Sequence, residues 1–269
     1  MAQPEQNKGR SLYERVHDYE GFIKKFEGIK EKTTDDVFTP VQIYEALLNY
    51  ATEKGWLKGF KTIVRPFYPN GDYTKYNYPK DCIVIDNPPF SIASKIVDFY
   101  ISKNQPFILF CQSLTAGQLL NDKRPTTIIL TNNKITFHNG AYINISFVAY
   151  GIPQLRDIAI KTAPDLALKL KMIDKNNKVS KRKTKYNLPK NVTSTALLGK
   201  YANRYLTIKR DECIRVPNID EMKKDGRGIY GGAILLSSSA AEAASAAEKT
   251  YTYELSEREK KIIEQLDNR

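Results

Sequence analysis

Histidine and cysteine are both scarce in this sequence. Its 269 residues include two histidines and three cysteines, and Cys82, Cys111 and Cys213 lie far apart along the chain. Zinc sites need clusters of such residues at close spacing, and a Ser-His-Asp triad needs a histidine base. We therefore predict no metal site and no histidine-based catalysis. The three thiols are expected to be free, as in a reducing cytoplasm.

Long apolar segments are absent as well. Apolar residues make up 41% of the chain, yet no segment approaches the roughly 18 uninterrupted apolar residues of a membrane span. The polar N-terminal segment MAQPEQNKGRSLYERVHDYEGFIKKF also lacks the apolar stretch of a signal peptide. These features predict a cytoplasmic protein that does not contact a membrane.

Positive charge is in excess and is concentrated in one segment. The formal net charge is +12, and residues 151–215 contribute 16 basic and 5 acidic side chains, a balance of +11. Such a concentration predicts a polyanion partner, most often nucleic acid. The lysine-rich core at 169–190 is the expected phosphate contact, with a solvated loop as the alternative interpretation. The predicted nucleic-acid-binding residues are Lys178, Lys181, Arg182, Lys183 and Lys185.

Apolar periodicity predicts an alternation of helices and strands. Amphipathic helices are expected over 11–32, after Thr39 as N-cap and Pro40, over 91–104 with Ser91 as cap, and over 255–266 with a Ser256–Glu259 capping box. Strands are expected at 61–64, 82–85, 106–111 and 126–131, and Asn139-Gly140 predicts a hairpin over 134–151. This order predicts an α/β sheet with an antiparallel edge.

The stretch CIVIDNPPF raises the question of function. CIVI (82–85) is continuously apolar, as in a buried parallel strand, and it runs directly into Asp86-Asn87-Pro88-Pro89-Phe90. Ligands of open α/β sheets bind beyond the carboxyl ends of the strands. Asn87 offers an amide oxygen there, Pro88 a carbonyl that no sheet ladder uses, and Phe90 a flat apolar face. These groups suit a planar heterocycle that carries an exocyclic amino group. The alternative is a proline-rich turn that only begins a helix.

Three segments together resemble a known family. DNPPF resembles the catalytic motif of amino-group methyltransferases, VFTPVQIYEALLNYA the helix that precedes their cofactor motif, and RPFYPNGDY (65–73) a degenerate form of that cofactor motif. The order of these segments, followed by a basic region, is similar to the gamma arrangement of DNA adenine-N6 methyltransferases. The similarity covers roughly residues 36–150. Short stand-alone forms of this kind resemble those of phages and mobile elements.

The resemblance implies an abbreviated Rossmann-like methyltransferase sheet with an antiparallel C-terminal hairpin and a small basic C-terminal region. The implied domains are an N-terminal helical segment (1–35), a methyltransferase-like domain (36–160), a basic target-recognition region (161–236), and a linker with a C-terminal helix (237–269). The implied partner is double-stranded DNA, with a homodimer or a restriction-modification protein as further candidates. Asn87, Pro88 and Phe90 would be catalytic. The residues implied to hold S-adenosylmethionine are Thr39, Pro40, Pro66, Phe67, Gly71 and Asp86.

The segment around Gly71 departs from the family pattern. Arg65 replaces the usual aspartate, Pro69 replaces the first glycine, and fourteen residues separate Gly71 from Asp86, too few for the usual helix and second strand. Three interpretations therefore stay open: adenine methylation in DNA, a catalytically inactive methyltransferase-like nucleic-acid-binding protein, and RNA amino-group methylation. The tyrosines of 68–78 either stack on ligand rings or cover the sheet. GRGIYGG (226–232) is predicted to be a turn, because it lacks the ending of a phosphate loop.

Overall fold

The computed structural model describes residues 39–69, 71–121, 125–130, 134–137, 140, 142–174, 188–201, 204–229, 231–244 and 253–269. The predicted helix over 11–32 and the N-terminal segment 1–35 lie outside the described residues. So do all five lysines and arginines predicted to bind nucleic acid, Lys178, Lys181, Arg182, Lys183 and Lys185. The nucleic-acid contact at 169–190 therefore stays a prediction.

The described strands form a large mixed sheet and a small antiparallel one. In chain order they are β1 (Thr62–Val64), β2 (Cys82–Asp86), β3 (Phe107–Gln112), β4 (Thr126–Ile129), β5 (Lys134–Thr136), β6 (Tyr142–Tyr150), β7 (Ile158–Thr162), β8 (Val192–Thr193), β9 (Thr207–Lys209), β10 (Cys213–Val216) and β11 (Ala233–Leu236). The large sheet has the order β1-β2-β3-β6-β4-β7-β9, with β5 paired to β6, and the small sheet has the order β10-β11-β8. The chain is thus an α/β protein.

Strand β2 lies between β1 and β3 and is parallel to both. Its register pairs Val84 with Val64 of β1 and with Phe107 of β3, and all five of its residues are buried. Continuous burial follows from the continuously apolar sequence, since both faces of a parallel strand are covered. The prediction of a buried parallel strand ahead of Asn87 is confirmed.

The hairpin of 134–151 is present and the sheet has an antiparallel edge, but that edge is strand β9, which pairs with β7, and not the hairpin. β5 and β6 pair in antiparallel fashion, with Thr136 opposite Tyr142. β6 then continues into the sheet between β3 and β4 and is antiparallel to both. The physical reason is its second half: residues 145–149 are all buried, so this strand needs cover on both faces and lies in the interior.

Helices cover both faces of the large sheet. They are α1 (Val41–Glu53), α2 (Ala93–Ser102), α3 (Ser113–Gln118), α4 (Pro164–Ile173), α5 (Thr195–Tyr201), α6 (Asp220–Lys224), α7 (Ser238–Ala244) and α8 (Glu257–Asp267). One core cluster joins α1 and α4 to the side chains of Ile63, Ile83 and Ile85. A second cluster joins α2 to Val64 and Val84 on the opposite face. None of the helices within the described ranges is long and apolar enough to cross a membrane.

Two of the three predicted helix caps differ from the structure. α1 begins at Val41 with Pro40 as its N-cap residue, so the Thr39 side chain does not cap it. α2 is preceded by a 3-10 turn at Phe90–Ile92, and its N-cap residue is Ile92 rather than Ser91. Proline carries no side-chain acceptor, and the short turn delays the start of α2. The capping box of Ser256 and Glu259 at the start of α8 is confirmed.

The C-terminal helix α8 is tied to α6. Arg258 donates two hydrogen bonds to the Asp220 carboxylate, at 3.0 and 2.8 Å, and the Ser256 hydroxyl donates a third at 2.7 Å. The fully buried Glu259 accepts from the Asp220 amide at 2.9 Å. These contacts fix α8 beside the small sheet, where Tyr253 joins the same apolar cluster as β8 and β11.

Candidate active site

The carboxyl ends of the parallel strands meet at one edge of the large sheet. β1, β2 and β3 are parallel, while β4 and β7 share their direction because β6 is antiparallel to both β3 and β4. Arg65, Asn87 and Ser113 each follow one of the first three strands directly. The predicted catalytic and cofactor segments therefore meet at a single edge, where ligands of open α/β sheets bind.

A buried ion pair anchors this edge. The Arg65 Nε atom donates to Asp86 Oδ1 at 3.1 Å, and both side chains are almost fully buried. The amide of Phe67 donates to Asp86 Oδ2 and the amide of Asn87 to Asp86 Oδ1, both at 2.9 Å. Burial raises the pKa of the Asp86 carboxyl, while Arg65 and the two amides oppose that shift. Asp86 therefore holds the loop after β1 against the segment after β2, and its carboxylate faces inward.

Helix α1 is fastened to the same edge through Tyr44. The Tyr44 hydroxyl donates to the Ile85 carbonyl at 2.9 Å, and the Arg65 guanidinium carbon lies 4.0 Å from the centre of the Tyr44 ring. This contact places the start of α1, with Thr39 and Pro40, next to the end of β2. Thr39 is fully buried, and its Oγ1 atom has no hydrogen-bond partner in the described part of the chain.

Asn87, Pro88 and Phe90 form a corner directly beyond β2. Asn87 is 8% exposed and Pro88 is buried. Among the residues described, none donates a hydrogen bond to the Pro88 carbonyl. Buried residues usually satisfy their carbonyls, so this oxygen is a candidate acceptor for a ligand. Phe90 is half-buried and contacts Phe137 edge to face, with ring centroids 6.3 Å apart.

The loop around Gly71 does not form an open cradle for S-adenosylmethionine. The Gly71 amide donates to the Tyr68 carbonyl at 2.9 Å, which closes a tight turn. A Cβ atom on Gly71 would lie 2.7 Å from the Tyr68 ring, so that ring occupies the space that the glycine leaves. Pro66 and Phe67 are buried, and Phe67 packs on Tyr73 and Tyr100. Gly71 and Phe67 thus pack against rings of the protein itself, and S-adenosylmethionine binding by the predicted residues stays a prediction.

The tyrosines of the same loop cover the sheet. Tyr78 donates to the Tyr73 carbonyl at 2.7 Å, and its hydroxyl lies 2.9 Å from that of Tyr100 on α2. Tyr73 and Tyr76 pack, partly buried, against the same apolar cluster. The sequence left two interpretations of these tyrosines, stacking on a ligand or covering the sheet. Tyr73, Tyr76 and Tyr78 cover the sheet.

Sequence reasoning missed Tyr44 as a positioning residue. It was visible as a tyrosine on the apolar face of α1, where a buried hydroxyl needs an acceptor. Asp72 and Asp86 are both acids within reach of Arg65 along the sequence, and the structure pairs Arg65 with Asp86. The sequence could not choose, because the choice depends on how the loop after β1 crosses β2.

A cavity of about 510 Å³ lies at the opposite edge of the sheet. It sits beside the start of β4 and the end of β6, and none of the predicted site residues lines it. Arg210 is held there by the carbonyls of Arg156 and Pro125 at 2.7 and 3.1 Å, while the Arg156 residue is exposed. This cavity is separate from the Asn87 corner.

No protein-family model matches the chain, and neither a curated protein nor a solved structure is significantly similar to it.

Proposed function

We propose that the corner of Asn87, Pro88 and Phe90 receives the exocyclic amino group of adenine in DNA, and that the reaction is methylation of that amino group. The observation that carries this proposal is the Pro88 carbonyl, which accepts no hydrogen bond within the described ranges and lies next to the Asn87 amide at the carboxyl edge of the sheet. A side-chain amide oxygen and a backbone carbonyl suit the two N–H bonds of one amino group.

The chemistry of this corner needs no histidine. The lone pair of the adenine amino group is delocalised into the ring, so the nitrogen is a poor nucleophile. Two acceptors that receive hydrogen bonds from both N–H groups favour a tetrahedral nitrogen with an available lone pair. Adenine must leave the DNA helix to reach the site, and Phe90 offers a ring for stacking, worth about 1–3 kcal/mol per base.

Rigidity is the contribution of the surrounding residues. The Asn87 backbone is held by Asp86, Asp86 by Arg65, and Arg65 by the Tyr44 ring. An acceptor set fixed before the substrate arrives loses less entropy on binding and orients the amino group. When bound, S-adenosylmethionine would supply the methyl group.

The second candidate is a catalytically inactive nucleic-acid-binding protein. The observation that favours it is the Tyr68 ring over Gly71, together with a direct pairing of β1 and β2 that leaves no strand between them. In that case the base corner and the basic segment would work without a methyl donor. RNA methylation stays an alternative substrate class for the same corner.

Isothermal titration with S-adenosylmethionine, with and without duplex DNA, separates the two candidates. For the enzyme we expect donor binding and transfer of a labelled methyl group to adenine. Asn87→Ala should lower the transfer rate at least about 100-fold, the loss of one well-placed acceptor, and leave donor affinity unchanged. The matched control is Asn268→Ala, because Asn268 is an exposed asparagine directly after helix α8. Full activity of Asn87→Ala would refute the proposed role.

Tyr68→Ala tests the inactive alternative. Removal of the ring uncovers Gly71 while the glycine itself is kept. If the wild-type protein binds no donor and the variant does, the ring blocks a vestigial site and the inactive candidate holds. If neither binds the donor while DNA binding persists, the protein is a binding module and methyl transfer is excluded.

A further inference from the structure

Arg215 lies near the candidate active edge, on strand β10 of the small sheet. It packs against Gly232, and the neighbouring Gly231 contacts Leu114, which lies two residues beyond the end of β3. β3 is the direct neighbour of β2. The small sheet therefore places an arginine near the edge that carries Asn87.

The Arg215 guanidinium is poorly satisfied. Its Nε atom is buried and has no hydrogen-bond partner, and its single hydrogen bond in the described part of the chain runs from Nη2 to the Gly231 carbonyl at 3.5 Å. That distance exceeds the usual range of about 2.7–3.2 Å. No acidic side chain of the described residues forms an ion pair with it, and burial lowers its pKa. A partly desolvated cation without an anion costs stability.

Thr195 adds a second unsatisfied donor. It is 3% exposed, and its Oγ1 atom is buried without a hydrogen-bond partner among the residues described. A buried hydroxyl normally finds one, because leaving it unpaired destabilises the fold. A Cβ atom on Gly117 would lie 2.8 Å from this Oγ1.

Thr195 and Arg215 lie beside two successive glycines. A Cβ atom on Gly231 would lie 3.8 Å from Thr195 Oγ1, and one on Gly232 would lie 2.8 Å from Arg215 Nη2. Both glycines have left-handed φ angles, of 85° and 87°. The turn therefore depends on glycine, and it lets both polar groups approach the same stretch of backbone.

We propose that Arg215, Thr195 and the Gly231–Gly232 turn form a binding site for one phosphoryl group. A phosphate oxygen can accept hydrogen bonds from the guanidinium edge and from the hydroxyl, and its charge compensates the cation. That the phosphate belongs to the DNA backbone rests on the proposed function. It would then hold the strand near the edge at which Asn87 receives the base, as phosphate contacts position a duplex and carry no sequence information.

The test compares the full-length wild-type chain with Arg215→Met, using inorganic phosphate and a duplex oligonucleotide as separate probes at constant ionic strength. We expect saturating phosphate to raise the wild-type melting temperature by about 2–4 °C and that of the variant by less than about 1 °C. The variant should bind the oligonucleotide about tenfold more weakly, because charge-assisted hydrogen bonds are lost. Thr195→Val, which keeps the shape and removes the hydroxyl, should reduce both responses by a smaller factor.

Arg156→Met is the matched control, because Arg156 is an exposed arginine at the cavity on the opposite edge. A response to phosphate that depends on Arg215 supports the site with free phosphate as a sufficient ligand. A defect seen with the oligonucleotide alone supports the site with the polymer as the source. Equal responses of wild type and Arg215→Met to both probes, or a loss confined to Arg156→Met, refute it. This test measures neither donor binding nor methyl transfer. Phosphate binding at Arg215 can therefore be confirmed or refuted even if the proposed function fails.

Discussion

Arg65 is buried and Arg215 is partly buried near the same edge of the large sheet, and their surroundings differ. Arg65 pairs with the Asp86 carboxylate at 3.1 Å and lies over the Tyr44 ring. Arg215 packs on a glycine backbone and has one long hydrogen bond to a carbonyl. The first cation is compensated within the protein, whereas no acid in the described part of the chain pairs with the second.

The comparison teaches how a structural arginine differs from one that awaits a ligand. A compensated ion pair contributes equally with and without ligand, because its anion is always present. An uncompensated cation lowers the stability of the free protein and regains that energy when an anion binds. Removal of Arg65 or its partner should therefore damage the fold, while removal of Arg215 should damage binding alone.

The largest effect is expected for Asp86→Asn. The substitution keeps the size of the side chain but leaves the Arg65 charge buried without its carboxylate, and it weakens the bonds to the amides of Phe67 and Asn87. Loss of one member of a buried ion pair costs about 3–5 kcal/mol. Urea unfolding at pH 7 should show this decrease in the free energy of unfolding.

Two further variants serve as controls for the stability of Asp86→Asn. Asp98→Asn removes an exposed acid on α2 and should change the free energy of unfolding by less than about 0.5 kcal/mol. The double variant Arg65→Met with Asp86→Leu removes both charges and should recover most of the loss, since apolar replacements of buried pairs are often neutral. If Asp86→Asn were as stable as the wild-type protein, the Arg65–Asp86 ion pair would not anchor the Asn87 corner.

A smaller loss of stability is expected for Asp220→Asn, which removes the carboxylate that pairs with the more exposed Arg258. It binds Asp220, and the hydrogen bonds from Arg258 and then Ser256 lower the pKa of Asp220. A carboxyl with a lowered pKa in the folded state stabilises the protein above its unfolded pKa of about 3.9, and this stabilisation is lost as the pH falls below that value. Unfolding measured from pH 7 to pH 3 should show Asp220→Asn less stable by roughly 1 kcal/mol at pH 7.

The difference between wild type and Asp220→Asn should shrink below about pH 4, because the Asp220 carboxyl of the unfolded chain takes up a proton there, while the folded chain keeps it ionised until lower pH. Comparison of the two proteins cancels the other groups that titrate in this range. A difference that stays constant down to pH 3 would mean that Asp220 acts through packing rather than through its charge.

The sequence predicts the parts of this molecule that depend on local patterns. The apolar runs at 82–85 and 106–111 predicted β2 and β3, and the capping box of Ser256 and Glu259 predicted the start of α8. The corner at Asn87 was predicted to follow a buried parallel strand, and it does. Each of these signals is carried by residues within about ten positions of one another.

Features that depend on distant residues could not be predicted in the same way. The position of β6 between β3 and β4 depends on its pairing with strands that are distant in the sequence. The sequence pattern of a hairpin does not show whether its second strand lies at the edge or in the interior of the sheet. The Tyr68 ring over Gly71 depends on a side-chain direction that the sequence does not encode locally. Arg215 and Thr195 lie beside successive glycines only because the turn at Gly231 and Gly232 folds next to both strand β10 and helix α5.

The smallest expected effect on the free protein is that of Arg215→Met. Methionine fills a similar volume and carries no charge, so the cost of a partly desolvated guanidinium disappears together with one weak hydrogen bond. We expect the free energy of unfolding in phosphate-free buffer to stay equal or to rise by up to about 1 kcal/mol, as urea denaturation can measure. A decrease of more than about 2 kcal/mol would mean that Arg215 supports the fold as Arg65 does. The contrast between the two arginines would then disappear, and with it the reason to expect an anion at Arg215.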